Sequence, residues 1–175
     1  SLEFHRLFAR YGIRRFTVVD NIIDMQYHQT MLPLLAGHGY DIFYETKANL
    51  RRRHMQSFFD AGVRSIQPGI ESLHDEILGL LAKGNKAWMN VQLLKWAAEL
   101  AMDISWVFLI DIPGQRDAWY IEMLTWLPLV SHLPPPSFAV PIQFMRFSPY
   151  HRHAAKYGFD LVPEPAYAQV YPLGA

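Results

Sequence analysis

A carboxylate and a hydroxyl stand together where a short apolar strand should end and a helix begin, in the stretch Gln-Pro-Gly-Ile-Glu-Ser-Leu at 67–73. Junctions of this kind carry the chemistry of β/α folds. Capping of a helix over 73–81 accounts for Ser72. It does not account for Glu71, whose carboxylate can accept hydrogen bonds from hydroxyls or pair with a cation. Glu71 is therefore a candidate for a binding group.

Polar side chains recur at the ends of the other expected strands. They are Asp20 and Asn21, Glu45 and Lys47, Asp111, and Gln143 and Arg146. The carboxyl ends of parallel strands meet at one rim, where catalytic groups of β/α barrels come from several strands. We therefore expect these side chains to face a common site.

The elements that would position these groups alternate between β-rich runs and amphipathic stretches. We predict strands at 14–21, 40–48, 64–71, 103–112 and 139–147 and helices at 24–35, 55–61, 73–81, 87–100 and 120–130. The strand at 103–112 is nearly all apolar, so we expect it to be buried on both faces. Pro128 should kink or end the last helix.

The predicted fold class is α/β, a partial TIM-like (β/α) barrel of parallel strands with about five β/α units. A glycine-rich dinucleotide fingerprint and a phosphate-loop lysine motif are both missing from the sequence, which disfavours nucleotide-binding open sheets. A full barrel takes roughly 250 residues, whereas this chain has 175. We expect 1–150 to form the later part of the barrel and 151–175 to start a truncated C-terminal extension.

The charge and composition of the chain disfavour several classes of binding partner. The formal net charge is zero and the pI is about 7.1. A balanced charge of this kind disfavours binding to nucleic acid or to an anionic membrane surface. No apolar run is long enough to span a bilayer, so the expected compartment is the cytoplasm. The chain has no cysteine, which excludes disulfides, thiolate catalysis and any thiolate-held metal or iron–sulfur centre built by these residues alone.

Six motifs in order resemble the radical S-adenosylmethionine (radical SAM) family over roughly residues 14–150. They are Val-Asp-Asn-Ile at 19–22, Tyr-Glu-Thr-Lys-Ala-Asn-Leu at 44–50, the 67–73 stretch, Lys-Gly at 83–84, Ile-Pro-Gly at 112–114 and Arg-Phe-Ser-Pro-Tyr at 146–150. The chain is most similar to the cobalamin-dependent branch that matures ribosomally made peptides, commonly by C-methylation. The ordered set at successive strand ends makes this likeness specific.

The resemblance implies a role for each matching residue. Glu45 would contact the ribose or amino group of adenosylmethionine, and Glu71 and Ser72 would form the next cofactor-contacting turn. Lys83 would meet the methionyl carboxylate, where the family often has arginine; a lysine offers a point charge instead of a bidentate fork. The full set of expected cofactor-binding residues is Glu45, Lys47, Glu71, Ser72, Lys83, Pro113 and Gly114.

The loop at 112–114 would shape the floor beneath adenine, and it departs from the common Gly-x-Pro-Gly-Glu form. Asp111 replaces the first glycine and Gln115 the final glutamate. Substrate contacts are expected at four further positions. These are Asp20, Asn21, Gln143 and Arg146.

The resemblance also implies cofactors that these residues cannot hold alone. The family uses a [4Fe-4S] cluster on a Cys-x3-Cys-x2-Cys loop, and that loop and a cobalamin-binding domain would precede residue 1. The intact enzyme would cleave adenosylmethionine to a 5′-deoxyadenosyl radical and pass a methyl group from cobalamin to a precursor peptide, with an external electron donor. This chain alone would be inactive, and no catalytic or metal-ligating residue is expected within it.

Other interpretations of the same residues stay open. Glu45 and Lys47 lie two apart on one strand face and could form a structural ion pair, or Lys47 could be the Schiff-base lysine of a barrel lyase. Asp20 and Asn21 could simply make a turn, and Arg146 could lie on the rim. The chain could also be a cluster-free remnant or subunit that binds adenosyl compounds or peptide without catalysis.

Three further patterns are read as structural. The basic run at 51–53 suits a solvated helix start, with contact to an acidic leader peptide as the alternative. His151 and His153 are close in sequence but lack a third ligand nearby. The tryptophans are expected in packing positions. They are Trp88, Trp96, Trp106, Trp119 and Trp126.

Overall fold

The computed structural model describes residues 2–20 and 22–171. Contacts divide the chain into two compact units, Ser1–Pro141 and Ile142–Ala175. The first unit contains every strand of the described residues. The domain boundary at 150 that the sequence suggests stays a prediction.

The strands of the described residues follow one another in chain order. They are β1 Arg15–Thr17, β2 Asp41–Thr46, β3 Val63–Pro68, β4 Asp103–Ile104, β5 Val107–Ile110 and β6 Phe138–Pro141. All their pairings are parallel, in a four-stranded sheet ordered β1-β2-β3-β4 and a two-stranded sheet of β5 and β6. A single parallel bridge between Glu71 and Phe108 joins the segment after β3 to β5.

Helices or 3-10 turns lie between most of these strands, and one helix precedes β1. In the first unit they are α1 Leu2–Tyr11, α2 Tyr27–Thr30, α3 Arg52–Asp60, α4 Asp75–Leu80, α5 Ala87–Glu99 and α6 Asp117–Trp126, with 3-10 turns at Leu32–Leu34 and Leu127–Val130. Parallel strands in chain order with helical crossovers confirm the predicted α/β class and its partial barrel architecture.

Alternating burial along β2 defines the two faces of the sheet. Ile42, Tyr44 and Thr46 are buried, whereas Glu45 and Lys47 are exposed. Met55 and Phe58 of α3 are fully buried in the same core. The turn between α3 and β3 requires Gly62, because its φ is +92° and a Cβ there would lie 2.7 Å from the Tyr40 carbonyl oxygen.

The predicted strand at 103–112 is wrong in two respects. It breaks between β4 and β5 at Trp106, whose side chain turns into the core and donates from Nε1 to the Pro134 carbonyl at 3.1 Å. All four residues of β5 are only half-buried, so burial on both faces is also wrong. The apolar run reflects a buried corner at Trp106 rather than a central strand.

Prolines shorten two other predicted elements. The helix expected over 24–35 is only α2 and a 3-10 turn containing Pro33, and the strand expected over 139–147 ends at Pro141. Pro lacks the N–H that either ladder needs. Pro128 ends α6 at Trp126 as predicted, and a 3-10 turn follows.

The N-terminal helix α1 was not among the expected elements. Its Phe4 ring meets the Phe16 ring edge-on, with centroids 5.0 Å apart. His5 Nδ1 lies 2.7 Å from the Tyr40 hydroxyl. These contacts hold α1 against β1 and the start of β2.

The second unit consists of short helices around an aromatic cluster. The helices are α7 Pro149–Arg152, α8 Ala154–Tyr157 and α9 Tyr167–Val170. The Phe144 ring stacks on Phe159 at 4.8 Å, and Tyr150 lies 4.8 Å from Tyr157. Burial raises the pKa of Tyr150 above its usual value.

Candidate functional site

The carboxyl ends of β2, β3 and β5 meet at one rim of the first unit. The amide of Gly69, just past β3, donates to the Thr46 carbonyl at the end of β2 at 3.2 Å. On the other side, the Leu109 amide of β5 donates to the Glu71 carbonyl at 2.9 Å. The turn at 69–72 is therefore held between two neighbouring strands.

Glu71 forms the charged centre of this turn. Its Oε1 accepts a hydrogen bond from Lys83 Nζ at 2.5 Å. The Glu71 side chain is 24% exposed and that of Lys83 is 32% exposed, so the pair is accessible from solvent but partly desolvated. A Cβ at Gly69 would lie 3.5 Å from Lys83 Nζ and 3.9 Å from Glu71 Oε1, which places the pair beside that glycine.

The backbone of Glu71 is strained. Its φ is 57°, in the left-handed region that costs a residue with a Cβ about 1–2 kcal/mol. Lys83 is presented by a second left-handed segment, since Ala82 and Gly84 have φ values of 52° and 70°. Non-glycine residues in this region cluster at functional sites.

Ser72 is placed differently from expectation. Its side chain is fully buried, and its Oγ accepts from the His74 amide at 3.2 Å. The N-cap of α4 is His74, whose Nδ1 accepts from the Glu76 amide at 3.3 Å. The capping interpretation of Ser72 is therefore wrong, and Ser72 shapes the turn that leads to the cap.

Asn90 of α5 is the residue that the sequence analysis missed. It is fully buried, and its Nδ2 donates to the Ile70 carbonyl at 3.1 Å and to the Ser72 carbonyl at 2.8 Å. Asn90 lies in the buried stripe of α5 with Leu93, Leu94 and Ala97. A polar residue at a core position of a helix was the available signal.

Glu45 and Lys47 lie on the exposed face near the end of β2. Glu45 is in register with Gln67 of β3, which is also exposed. The structure places no ion pair between Glu45 and Lys47, and both are described residues. The structural ion-pair interpretation is therefore wrong.

The loop after β5 approaches the end of α4. Gly114 has a φ of +86°, and a Cβ there would lie 3.5 Å from Leu80 Cδ2. Pro113 is half-buried beside it. Gln115 Oε1 accepts from the Ile112 amide at 2.8 Å and from the Tyr120 hydroxyl at 2.6 Å. The side chain of Gln115, where the common motif has glutamate, therefore forms its hydrogen bonds within the loop and with α6.

Two tyrosines near this rim have shifted pKa values. Burial, with a hydrogen bond at 3.1 Å to Asp20 Oδ2, raises the pKa of Tyr44 above its usual value. Burial and then the Asp111 and Asp117 charges raise the pKa of Tyr120. Asp20 thus anchors a core tyrosine, while Asn21 lies outside the described residues.

Gln143 and Arg146 belong to the second unit. Both are exposed, and the Arg146 guanidinium lies 4.9 Å from the centroid of the Phe147 ring. Neither continues a strand, because β6 ends at Pro141. Their expected substrate contacts stay a prediction.

A second concave region lies on the helical side of the first unit. A cavity of about 950 Å³ is lined by residues of α4, α5, α6 and the turn after α6. His74 Nε2 lies 3.4 Å from Glu122 Oε2 there, and the His74 ring stacks on Trp119. Trp88 lines it and is 62% exposed, so the packing assignment is wrong for Trp88.

The described residues form neither a metal-ligand cluster nor a membrane-spanning helix. Within 2–20 and 22–171, no group of three or more His, Cys, Asp or Glu side chains is arranged to hold a metal ion. The sequence contains no cysteine, so these residues do not fit a thiolate-held iron–sulfur cluster. No helix in the described part of the chain is long and apolar enough to cross a bilayer.

Comparisons with known proteins establish the fold. No protein-family model and no curated protein sequence matches the chain. Among solved structures, it is similar to the radical SAM methyltransferase TsrM from Kitasatospora setae, with tryptophan substrate and a SAM analogue bound. The TM-score is 0.64 at 12% identity, over 78% of this chain and 29% of TsrM.

Two further radical SAM enzymes share the arrangement. The cobalamin-dependent enzyme OxsB, with aqua-cobalamin and adenosylmethionine bound, has a TM-score of 0.57 at 14% identity over 87% of this chain and 24% of OxsB. Coproporphyrinogen III oxidase HemN from Escherichia coli has a TM-score of 0.51 at 14% identity over 73% of this chain and 29% of HemN. The chain therefore spans less than a third of each structure and has the fold of the corresponding part of a radical SAM barrel.

Proposed function

We propose that this chain is the adenosylmethionine-binding portion of a radical SAM enzyme. The whole enzyme would cleave adenosylmethionine to a 5′-deoxyadenosyl radical and C-methylate a ribosomally synthesised peptide. The shared fold, the ordered motifs and the Glu71–Lys83 pair at the strand ends support this proposal. The pair is the observation that carries it.

The charges of the pair match the methionyl end of adenosylmethionine, which holds an ammonium and a carboxylate. On binding, Glu71 accepts the ammonium and Lys83 donates to the carboxylate, so each protein charge exchanges one ionic partner for another. Partial exposure of both side chains gives the ligand access. Glycine at 69 leaves the adjoining space open.

The remaining rim residues would hold the rest of the molecule. Glu45 projects from the end of β2 and would accept hydrogen bonds from the ribose hydroxyls, with Lys47 beside it. Gly114 and Pro113 would lie under adenine. Ser72 would act through the shape of its turn, because its side chain is buried.

A [4Fe-4S] cluster has no thiolate ligands in this sequence. Without cysteine, the chain cannot supply cluster thiolates, so the cluster would be held outside it, and the family resemblance assigns cobalamin to a separate domain. An external electron donor, a precursor peptide and a cytoplasmic setting complete the proposal. Adenosylmethionine, when bound, supplies the precursor of the radical.

Calorimetric titration of the chain with adenosylmethionine tests the proposal. We expect Lys83→Met and Glu71→Gln each to weaken binding by about tenfold or more, because a hydrogen bond to a charged group contributes about 1.5–3 kcal/mol. Glu45→Gln should weaken it in the same direction.

Lys95→Met is the matched control, because Lys95 forms an exposed ion pair with Glu99 at 3.6 Å. It should bind like the wild type, since exposed pairs of this kind contribute little. A wild-type chain that does not bind adenosylmethionine, or Lys83→Met binding as tightly as Lys95→Met, would overturn the proposal.

The absence of cysteine favours one alternative, a subunit that binds adenosyl compounds or peptide without catalysis. Both functions require the same binding site, so 5′-deoxyadenosine formation by the intact protein under reducing, oxygen-free conditions separates them. The Schiff-base lyase has less support, because Lys47 is exposed, whereas such lysines are activated by desolvation or a neighbouring cation.

A further inference from the structure

We infer that Asn90 is a positioning residue for the proposed adenosylmethionine site, because its carboxamide fixes the turn that aims the Glu71 carboxylate at Lys83. The inference rests on the proposed function and adds a residue from the helical layer. Asn90 would not touch the ligand. It would act through the backbone on both sides of Glu71.

The hydrogen bonds define this role. Both Nδ2 protons of Asn90 are used, one on the Ile70 carbonyl at 3.1 Å and one on the Ser72 carbonyl at 2.8 Å. Carbonyl oxygens only accept, so the amide orientation is fixed. The two bonded carbonyls flank Glu71 in sequence, and Asn90 therefore holds the turn from both sides.

A second contact orients Asn90 itself. Asn85 Nδ2 donates to Asn90 Oδ1 at 2.7 Å, and both side chains are buried. The segment that carries Asn85 begins immediately after Lys83 and Gly84. The same small network therefore reaches both partners of the ion pair.

The strained backbone of Glu71 explains why the hydrogen bonds of Asn90 are needed. A left-handed φ of 57° at a glutamate is maintained only where surrounding contacts enforce it. Leu109 donates to the Glu71 carbonyl itself at 2.9 Å, and Asn90 fixes the carbonyls on either side. Without these donors, Glu71 would relax toward a negative φ and its carboxylate would turn away from Lys83.

The test compares Asn90→Leu with Leu93→Ala by two measurements. Both changes lie in the buried stripe of α5 and both destabilise the core, but only the first removes donors from the turn. At a temperature where both variants are folded, Asn90→Leu should weaken adenosylmethionine binding about tenfold. Leu93→Ala should bind within about twofold of the wild type, because stability alone does not set affinity in a folded protein.

Amide hydrogen exchange supplies a readout that needs no ligand. The Leu109 and Ser72 amides should exchange about tenfold faster in Asn90→Leu than in the wild type, and not in Leu93→Ala. The Val18 amide, bonded to the Phe43 carbonyl at 3.1 Å, should be unchanged. If Asn90→Leu fails to fold, Asn90→Ser takes its place, since one hydroxyl donor can satisfy at most one of the two carbonyls.

The outcomes distinguish the role of Asn90 from the proposed adenosylmethionine-binding function. Equal exchange at Leu109 in Asn90→Leu and Leu93→Ala would overturn the role of Asn90, whether or not the chain binds adenosylmethionine. Faster exchange with unchanged affinity would also overturn it, because the turn would then not position the ligand. A wild-type chain that does not bind would overturn the proposed function, while exchange would still decide whether Asn90 holds the turn.

Discussion

Glu71 combines a backbone conformation that glutamate disfavours with a carboxylate bonded to Lys83. The left-handed conformation lowers stability by about 1–2 kcal/mol relative to a relaxed turn. A partly exposed ion pair adds only about 1 kcal/mol or less to stability. Stability alone therefore does not explain a glutamate at this position. A ligand that uses the carboxylate, as in the proposed function, would explain it.

Two substitutions at Glu71 separate the backbone cost from the carboxylate. Glu71→Ala and Glu71→Gly both remove the ion pair, but only glycine adopts a positive φ without steric cost. We expect the glycine variant to be more stable than the alanine variant by about 1 kcal/mol in urea unfolding. Both should lose adenosylmethionine affinity. An alanine variant as stable as the glycine variant would show that the turn relaxes.

At the scale of elements, α2 contacts α3 through a histidine that lacks hydrogen-bonding partners. Neither ring nitrogen of His28 has a partner among the described residues, and both are buried. Its ring stacks on His54 at 4.7 Å and contacts Phe58. Burial, then His54 and Arg53, lowers the pKa of His28 to about 4. The contact between these helices therefore requires a neutral imidazole.

This requirement predicts a loss of stability in mild acid. Below about pH 6.5 the unfolded chain protonates at His28 while the folded chain does not, so unfolding is favoured as the pH falls toward 4. His54, whose pKa burial also lowers, adds to the same trend.

Urea unfolding between about pH 7.5 and 5 should show a smaller pH slope for His28→Leu than for the wild type. The exposed His132 provides a control, and His132→Leu should keep the wild-type slope. Identical slopes for all three proteins would contradict the assignment.

Local patterns were sufficient to predict most elements. The apolar stripe of α5 and the β-rich runs of β2 and β3 are signals that propensity and periodicity carry, and they appear within a few residues of their predicted bounds. The break at Trp106 was not predictable in this way, because it depends on a carbonyl at Pro134 that is distant in sequence. The partners of Asn90 could not be predicted for the same reason, since the carbonyls of Ile70 and Ser72 lie before α4.

At the scale of the whole molecule, the candidate site is assembled from segments that are far apart in the sequence. Strand-end polarity singled out Glu71, and only the family resemblance added Lys83; the two side chains form an ion pair. Strand position also suggested an ion pair as one option for Glu45 and Lys47, which do not form one. Contacts between side chains on one strand depend on rotamers and on neighbouring strands, which the sequence pattern does not specify.

The segment 142–147, at the start of the second unit, should be the first place a protease cuts. Residues 142–147 lie outside any helix or strand, and Arg146 is exposed. Proteases need an extended, accessible backbone, so brief trypsin digestion should cleave after Arg146 before it cleaves at Arg53 in α3 or Lys95 in α5. Mass spectrometry of the fragments measures this.

Arg146→Gln is the control for that experiment, because it removes the cleavage site without altering the backbone. The first product should then disappear. Earlier cleavage within α3 or α5 would show that these helices open more readily than the segment 142–147.

The order of the strands has a consequence for how the protein is made. In the sheet β1-β2-β3-β4, each strand pairs with the one that precedes it in the chain, and β6 pairs with β5. A strand leaving the ribosome therefore finds its partner already synthesised, since domains fold from the N-terminus during synthesis. The first unit can therefore grow by successive addition of strands to an edge that has already been synthesised.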